Sequence, residues 1–232
     1  MDLRIYEAID NPIIRKLCFS ILNEYGDKAK LVKIKANHDF IVEGTMVQGL
    51  FLVKSGIIKV IKTGLNGKEQ VLRFSKIGEI VGYRGFGTNM EYQVGAQSIT
   101  DTELYFYSNA MLEESLRKNI DLTYNFMLFY AFELSNSETK VRKFAQMTVR
   151  EKVIDCILYI HRKFGQDNEF LNLQLSRKDL AGLAGTTDEQ VIRILSGLEN
   201  EQLLYKKGKK IGVLNLEKLK KEISEHNFYI SA

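Results

Sequence analysis

The sequence predicts an α+β chain in which a β-rich N-terminal part, one long helix and a winged helix-turn-helix succeed one another. Three observations carry this expectation. Residues 30–107 break into seven short alternating segments separated by turn signals. Residues 121–146 hold a helical pattern with apolar and aromatic residues spaced four and three apart. Residues 175–212 read as helix, tight turn, helix and basic hairpin. Alternation with period two marks half-buried strands, and recurrence at three and four marks one buried face of a helix. The expected boundaries are 1–119 for the β domain with its N-terminal helices, 120–147 for the long helix and hinge, and 148–232 for the C-terminal domain.

Residues 1–30 are amphipathic, with Ile13, Leu17, Ile21 and Leu22 on one side, so they should pack on the β domain. The segments LVKIK, FIVEG, GLFLVKSG, IIKVIK, KEQVLRF, QVGAQSI and ELYFYS come next, with turns at Lys54-Ser55-Gly56, Leu65-Asn66-Gly67 and Lys76-Ile77-Gly78. Asn-Gly between alternating runs is a strong hairpin signal. So many short strands predict a sandwich or barrel. Residues 110–119 form a short helix, and Asp121 is the capping candidate of the long one. On that long helix Leu122, Phe126, Phe129 and Phe132 make an aromatic stripe wider than one small sheet domain needs. A parallel dimer seam is the expectation, with packing on the β domain as the alternative. Past Phe132 the helix turns polar at Ser135, Asn136, Ser137 and Thr139, and residues 144–152 are the expected hinge. Val149, Val153, Ile157, Leu158 and Ile160 then build a supporting helix.

Ser176 with Asp179 three positions on has the reciprocal N-cap spacing, and Thr187 with Gln190 repeats it. Between the two helices lies Ala184-Gly185-Thr186, where glycine can take a positive φ. Val191, Leu195 and Leu198 should be buried, leaving Glu189, Ile192, Arg193 and Ser196 outside. Helices joined this way place the second in a DNA major groove. There an arginine fork fits guanine O6/N7 and a carboxylate accepts from the cytosine amino group. Glu189 and Arg193, flanked by Asp188 and Ile192, are the expected base readers; a plain i,i+4 surface pair is the other reading. Lys206, Lys207, Lys209 and Lys210 cluster at a Gly-centred hairpin tip. With Lys178 and the helix-starting Ser176 and Thr187, they are the expected phosphate contacts. A merely solvated turn is the bland alternative.

The run DLAGLAGTTDEQVIRILSGLENEQLL resembles the DNA-binding segment of the cAMP receptor protein and FNR family of bacterial regulators. Glu189 and Arg193-Ile194-Leu195 match the family pattern of Glu followed by Arg-[IL]-L. The resemblance implies that these two side chains read the TGA core of a palindromic half-site, as a homodimer with RNA polymerase as a further partner. Asp188 stands where the cAMP receptor protein has Arg, and Ile192 where FNR proteins have Ser, so the resemblance does not extend to the outer bases. The glycines at 44, 56, 67, 78 and 82 resemble the turn glycines of the family's double-stranded β-helix, or jelly roll, of the cyclic-nucleotide-binding type.

Residues 78–87 occupy the place of the family's phosphate-binding cassette. With Gly82 on the cassette glycine, Tyr83 stands where the ribose-binding Glu belongs, and Tyr92-Gln93 where the Arg-Ser or Arg-Thr belongs. The implied effector pocket comprises Gly82, Tyr83, Arg84, Tyr92, Gln93 and the helix pair Ser135-Asn136, without the ligands that cyclic AMP needs. A different small-molecule effector, or a sensor domain set without one, is the expectation.

Composition narrows the classes. A net charge of +4 is not a strongly basic footprint, and residues 149–232 hold 14 Lys/Arg against 12 Asp/Glu. Cys18 and Cys156 are isolated, which argues against disulfides, zinc and thiolate-held clusters and suits a reducing cytoplasm. A lone cysteine on an apolar helix face is more often core than ligand. No apolar run of about 20 residues predicts a membrane span. A metal-dependent jelly-roll enzyme needs converging histidines, and of His38, His161 and His226 only His38 falls in the β part. No metal site, catalytic residue or resident cofactor is expected.

Overall fold

The computed structural model describes residues 5, 7–25, 28–64, 67–86 and 90–226. Leu65, Asn66 and Gly87, singled out above, lie outside them. The chain divides into two compact units, residues 1–137 and 138–232.

Within the first unit helix α1 (Pro12–Tyr25) leads into strands β1 (Lys30–Ile34), β2 (Asp39–Ile41), β3 (Gly49–Ser55), β4 (Ile58–Thr63), β5 (Glu69–Ser75), β6 (Ile80–Val81), β7 (Gly95–Ser98) and β8 (Thr102–Ser108). These make two four-stranded antiparallel sheets, ordered β1-β8-β3-β6 and β2-β7-β4-β5. All seven predicted segments carry a strand. The two-residue β6 was not foreseen, being too short to show alternation.

Side-chain alternation along β3 shows how the layers stack. Leu50 and Leu52 point into one core with Leu17, Cys18, Ile21, Tyr107, Leu122, Phe126 and Phe129. Phe51 and Val53 point the other way, toward Ile41, Ile58, Val60, Val94 and Leu104 of the second core. The β1-β8-β3-β6 sheet is thus a wall between a helical layer and the other sheet, as period two allows when both faces are covered.

Helix α2 (Asn109–Lys118) is capped by the Ser108 side chain. Helix α3 (Ile120–Gln146) comes immediately after it. Its cap is not Asp121: Asn119 Oδ1 accepts from the Leu122 amide at 3.0 Å, closer to the preceding helix than expected. The predicted seam also needs correction. Leu122, Phe126 and Phe129 are at most 6 % exposed, in a core of the first unit, and Phe132 is half-buried. Packing on the β domain claims them, because spacings of four and three run along the face turned to β3 and α1. The opposite side exposes Ile120, Tyr124, Met127, Leu134 and Val141, also spaced by threes, fours and their sums.

The second unit holds α4 (Val149–Phe164), the short strands β9 (Gln166–Asp167) and β10 (Phe170–Leu171), α5 (Arg177–Ala184), α6 (Asp188–Asn200), β11 (Leu204–Lys207), β12 (Lys210–Val213) and α7 (Leu216–Glu222). Thr148 and Glu151 form a complete capping box at the start of α4. Arg150 then ties α4 to its neighbours, reaching Glu201 at 2.8 Å and Glu222 through a charge-assisted bond. Among the described residues no helix is long and apolar enough to cross a membrane.

Candidate nucleic-acid interface and sensor pocket

The helix-turn-helix is built by its caps. Ser176 accepts from the Asp179 amide at 3.0 Å and donates to its carboxylate at 2.6 Å, which starts α5. Gly185 ends it in the left-handed region, φ 64°, where a side chain would be strained. Thr187 accepts from the Gln190 amide and starts α6. Val191, Ile194, Leu195 and Leu198 bury one face of α6, leaving Asp188, Glu189, Ile192 and Arg193 on the exposed side. Arg193 donates to Gln190 Oε1, one turn back. Asp188 and Glu189 in the first turn also suit the positive end of the helix dipole.

Strands β11 and β12 pair antiparallel to form the hairpin, with Lys207 opposite Lys210 and Gly208 at φ 61°. Gly212 lets β10 and β12 approach closely. A Cβ there would stand 2.1 Å from both the Glu169 carbonyl oxygen and the Tyr205 ring. Lys178, Lys207, Lys209 and Lys210 are exposed. Lys206 is not: its ammonium sits 2.9 Å from Ser196 Oγ and 3.1 Å from Glu199 Oε2, so it fastens the hairpin to α6 rather than facing a phosphate. Position in the strand, not charge, decided its role. Arg177, which the sequence reading passed over, does similar work by donating to the Gly208 carbonyl at 2.9 Å.

The expected effector residues come together only in part. Tyr83, 1 % exposed, and Arg84 meet at one point, joined by Arg73 from β5 and Glu133 from α3. Tyr92 instead spends its hydroxyl on the backbone, donating to Gly49 O at 2.9 Å and accepting from Gln48 N at 3.2 Å. The Gln93 side chain turns to the Glu91 carbonyl. On α3, Ser137 rather than Ser135-Asn136 approaches Arg84, at 3.5 Å. The reason is helical phase: Tyr130, Glu133 and Ser137, spaced three and four, share the face turned to the cluster, whereas Ser135 is exposed. Arg73 and Glu133 were missed because each is unremarkable in its own segment. Only the fold brings them together.

Burial alone would raise the Glu133 pKa, but Arg73, the Tyr83 hydroxyl and Arg84 outweigh it and hold the carboxyl below its ordinary range. Burial pushes the Tyr83 phenol up. A depressed carboxylate stabilises the fold fully above the ordinary glutamate value of about 4.3, and that contribution is lost as pH falls through the depressed value. The stability gap between the wild type and Glu133→Gln should therefore be widest near neutrality and shrink on acidification below about pH 4.3. Denaturant titrations followed by circular dichroism at several pH values check this. A gap that does not change with pH would show that Glu133 carries no such charge coupling.

Cys18 and Cys156 are free and buried, and burial pushes the Cys18 thiol up to about 12. Among the described residues no group of His, Cys, Asp or Glu is placed to hold a metal ion.

Residues 31–119 match the model of the cyclic nucleotide-binding domain, and residues 151–222 that of the Crp-like helix-turn-helix domain. The chain is 25 % identical over 200 residues to the anaerobic regulatory protein of Bacillus subtilis (strain 168), covering 84 % of this chain and 82 % of that one. It is 28 % identical over 159 residues to the cyclic AMP receptor protein of Thermus thermophilus, covering 68 % and 72 %. The structure of FixK2 from Bradyrhizobium japonicum shares the fold with a TM-score of 0.74 at 21 % identity, over 83 % of this chain and 96 % of that one.

Proposed function

The chain belongs to the Crp/Fnr family of transcription regulators, with a cyclic nucleotide-binding-type β domain and a DNA-binding helix-turn-helix, and from that premise we propose that it acts as a homodimer reading a palindromic operator. Like its relatives it is a regulator and not an enzyme. The observation that carries the reading is the exposed face of α6, with Glu189 and Arg193 in its N-terminal half between two capped helix starts. That half of a recognition helix reaches base edges. Glu189 and Arg193 read the inner bases, and Asp188 and Ile192 stand beside them for the outer ones. Lys178, Lys207, Lys209 and Lys210 meet phosphates, with Ser176 and Thr187 orienting the helix starts. The dimer forms along the exposed α3 stripe of Ile120, Tyr124, Met127 and Leu134, which replaces the seam predicted from the sequence. RNA polymerase is the further partner, and the protein works in the cytoplasm, where its DNA is.

Selection of a randomised duplex pool with purified protein and no added ligand tests this reading. Enrichment of a palindrome with TGA-like half-sites about one helical turn apart is the expected result. Enrichment of no sequence in the bare buffer or in the presence of a small-molecule cell extract would refute it.

Each exposed wing lysine should add about one to the salt slope of binding. Lys207→Ala, Lys209→Ala and Lys210→Ala should each flatten log K against log salt by about two, one for each subunit of the proposed dimer, and weaken random and selected duplexes alike. Lys206→Ala should leave the slope unchanged while lowering stability. A slope change at Lys206 equal to the others would undo its assignment as a fastener.

We further propose that the sensor pocket does not take cyclic AMP. Tyr83 replaces the ribose-binding carboxylate, and the Tyr92 hydroxyl is committed to backbone where the phosphate-binding pair would stand.

A further inference from the structure

Around Glu133 the β domain gathers cationic and hydroxyl donors onto one atom. Glu133 Oε2 accepts from the Tyr83 hydroxyl, from Arg73 Nη1 at 3.5 Å and from Arg84 Nη2 at 3.4 Å. Tyr83 in turn accepts from Arg73 at 3.1 Å and from Arg84 at 3.4 Å, and both guanidiniums lie over its ring, 5.2 and 5.8 Å from the centroid. Arg73 spends its other two nitrogens on the Ile80 carbonyl at 3.2 Å and on Ser75 Oγ at 3.4 Å. The Glu79 carboxylate also acts on Arg73 through space. Two guanidiniums therefore converge on one carboxylate, Glu133, with Glu79 acting on Arg73 as well.

Donors of this kind, converging on one point, are how proteins recognise a carboxylate or phosphate. Burying Arg73 and half-burying Arg84 without an anion would be costly. The carboxylate on which the donors converge is supplied by α3. On the same face Tyr130 donates to the Tyr83 carbonyl at 2.8 Å and Ser137 meets Arg84. We propose that Glu133 is a built-in ligand: its carboxylate takes the place of an effector anion, holds α3 on the β domain, and sets the sensor domain without a small molecule. The inference rests on the reading of this domain as the sensor of a Crp/Fnr regulator. Any anionic effector would have to displace Glu133 and leave its charge buried, so the site resists occupation from outside.

The test uses full-length Glu133→Ala, which keeps both arginines and Tyr83 and opens a carboxylate-sized space. Thermal melts are run in tens of millimolar sodium acetate, in acetamide, and in sodium chloride at matched ionic strength. The variant should melt below the wild type in chloride; acetate should restore at least half of the lost Tm; acetamide should restore none; and the wild type should not respond. A variant that melts like the wild type, a response to acetamide equal to that to acetate, or a wild type that responds as strongly would each overturn the proposal. Should the alanine variant not fold in any of these solutions, Glu133→Gln decides, because an amide of the same size that melts like the wild type also overturns it. The same samples are titrated with the selected and a random duplex. Effector-free affinity for the selected duplex should fall at least tenfold in Glu133→Ala and return with acetate. If the wild type cannot tell the two duplexes apart, the operator reading fails, while the melts still judge Glu133.

Discussion

Replacing Arg193 by Ala is expected to lower affinity for the selected palindrome by between about 30-fold and about 10⁴-fold while leaving random duplexes bound as before. A bidentate arginine–guanine contact discriminates by about 1–3 kcal/mol, and the proposed two-fold dimer would make it twice. The side chain is exposed and bonds to Gln190 on the same helix, so its removal should cost the fold little. The loss should appear as relaxed preference at one base of each half-site, with the salt slope unchanged, because no phosphate contact has gone. Fluorescence titration on both duplexes is the measurement. Equal losses on the two would mean that Arg193 binds backbone and that another residue of α6 reads the sequence.

The second large effect concerns assembly. Leu134→Asp places a charge on the exposed α3 stripe, where the wild-type side chain is 62 % exposed in the single subunit. Removing a leucine from an interface costs about 1.5–3 kcal/mol per copy before the charge is counted. Over two copies that should weaken the proposed dimer by about 10²- to 10⁴-fold. Sedimentation should then show monomers at concentrations where the wild type is dimeric, with subunit melting little changed. Phe129→Ala should do the reverse. It removes a core ring and is expected to lower subunit stability by about 3–5 kcal/mol without acting directly on the interface. If Phe129→Ala dissociates a stable subunit and Leu134→Asp does not, the two faces have been assigned the wrong way round.

Legibility in this chain divides along physical lines. The strands were legible because alternation is a property of each segment alone, and β6 was lost because two residues cannot alternate. The helix-turn-helix was legible down to its caps, since Ser176 and Thr187 act within three residues of themselves. The α3 stripe was seen but assigned to the wrong partner: spacing tells which residues share a face, not what covers it. The cluster at Glu133 was invisible, as Arg73 and Glu133 stand 60 positions apart and meet only through the fold. Lys206 shows the same limit at short range, where a run of like residues was divided by the pleat of one strand.

The placement of the two thiols has a practical consequence for tracking this molecule in solution. Each unit carries a single cysteine, Cys18 in one and Cys156 in the other, and both are shut away from solvent in the native state. A maleimide or iodoacetamide pulse can mark them only when their surroundings open. Peptide mapping after timed pulses would therefore yield two opening rates from one unmodified sample, one for each half of the chain.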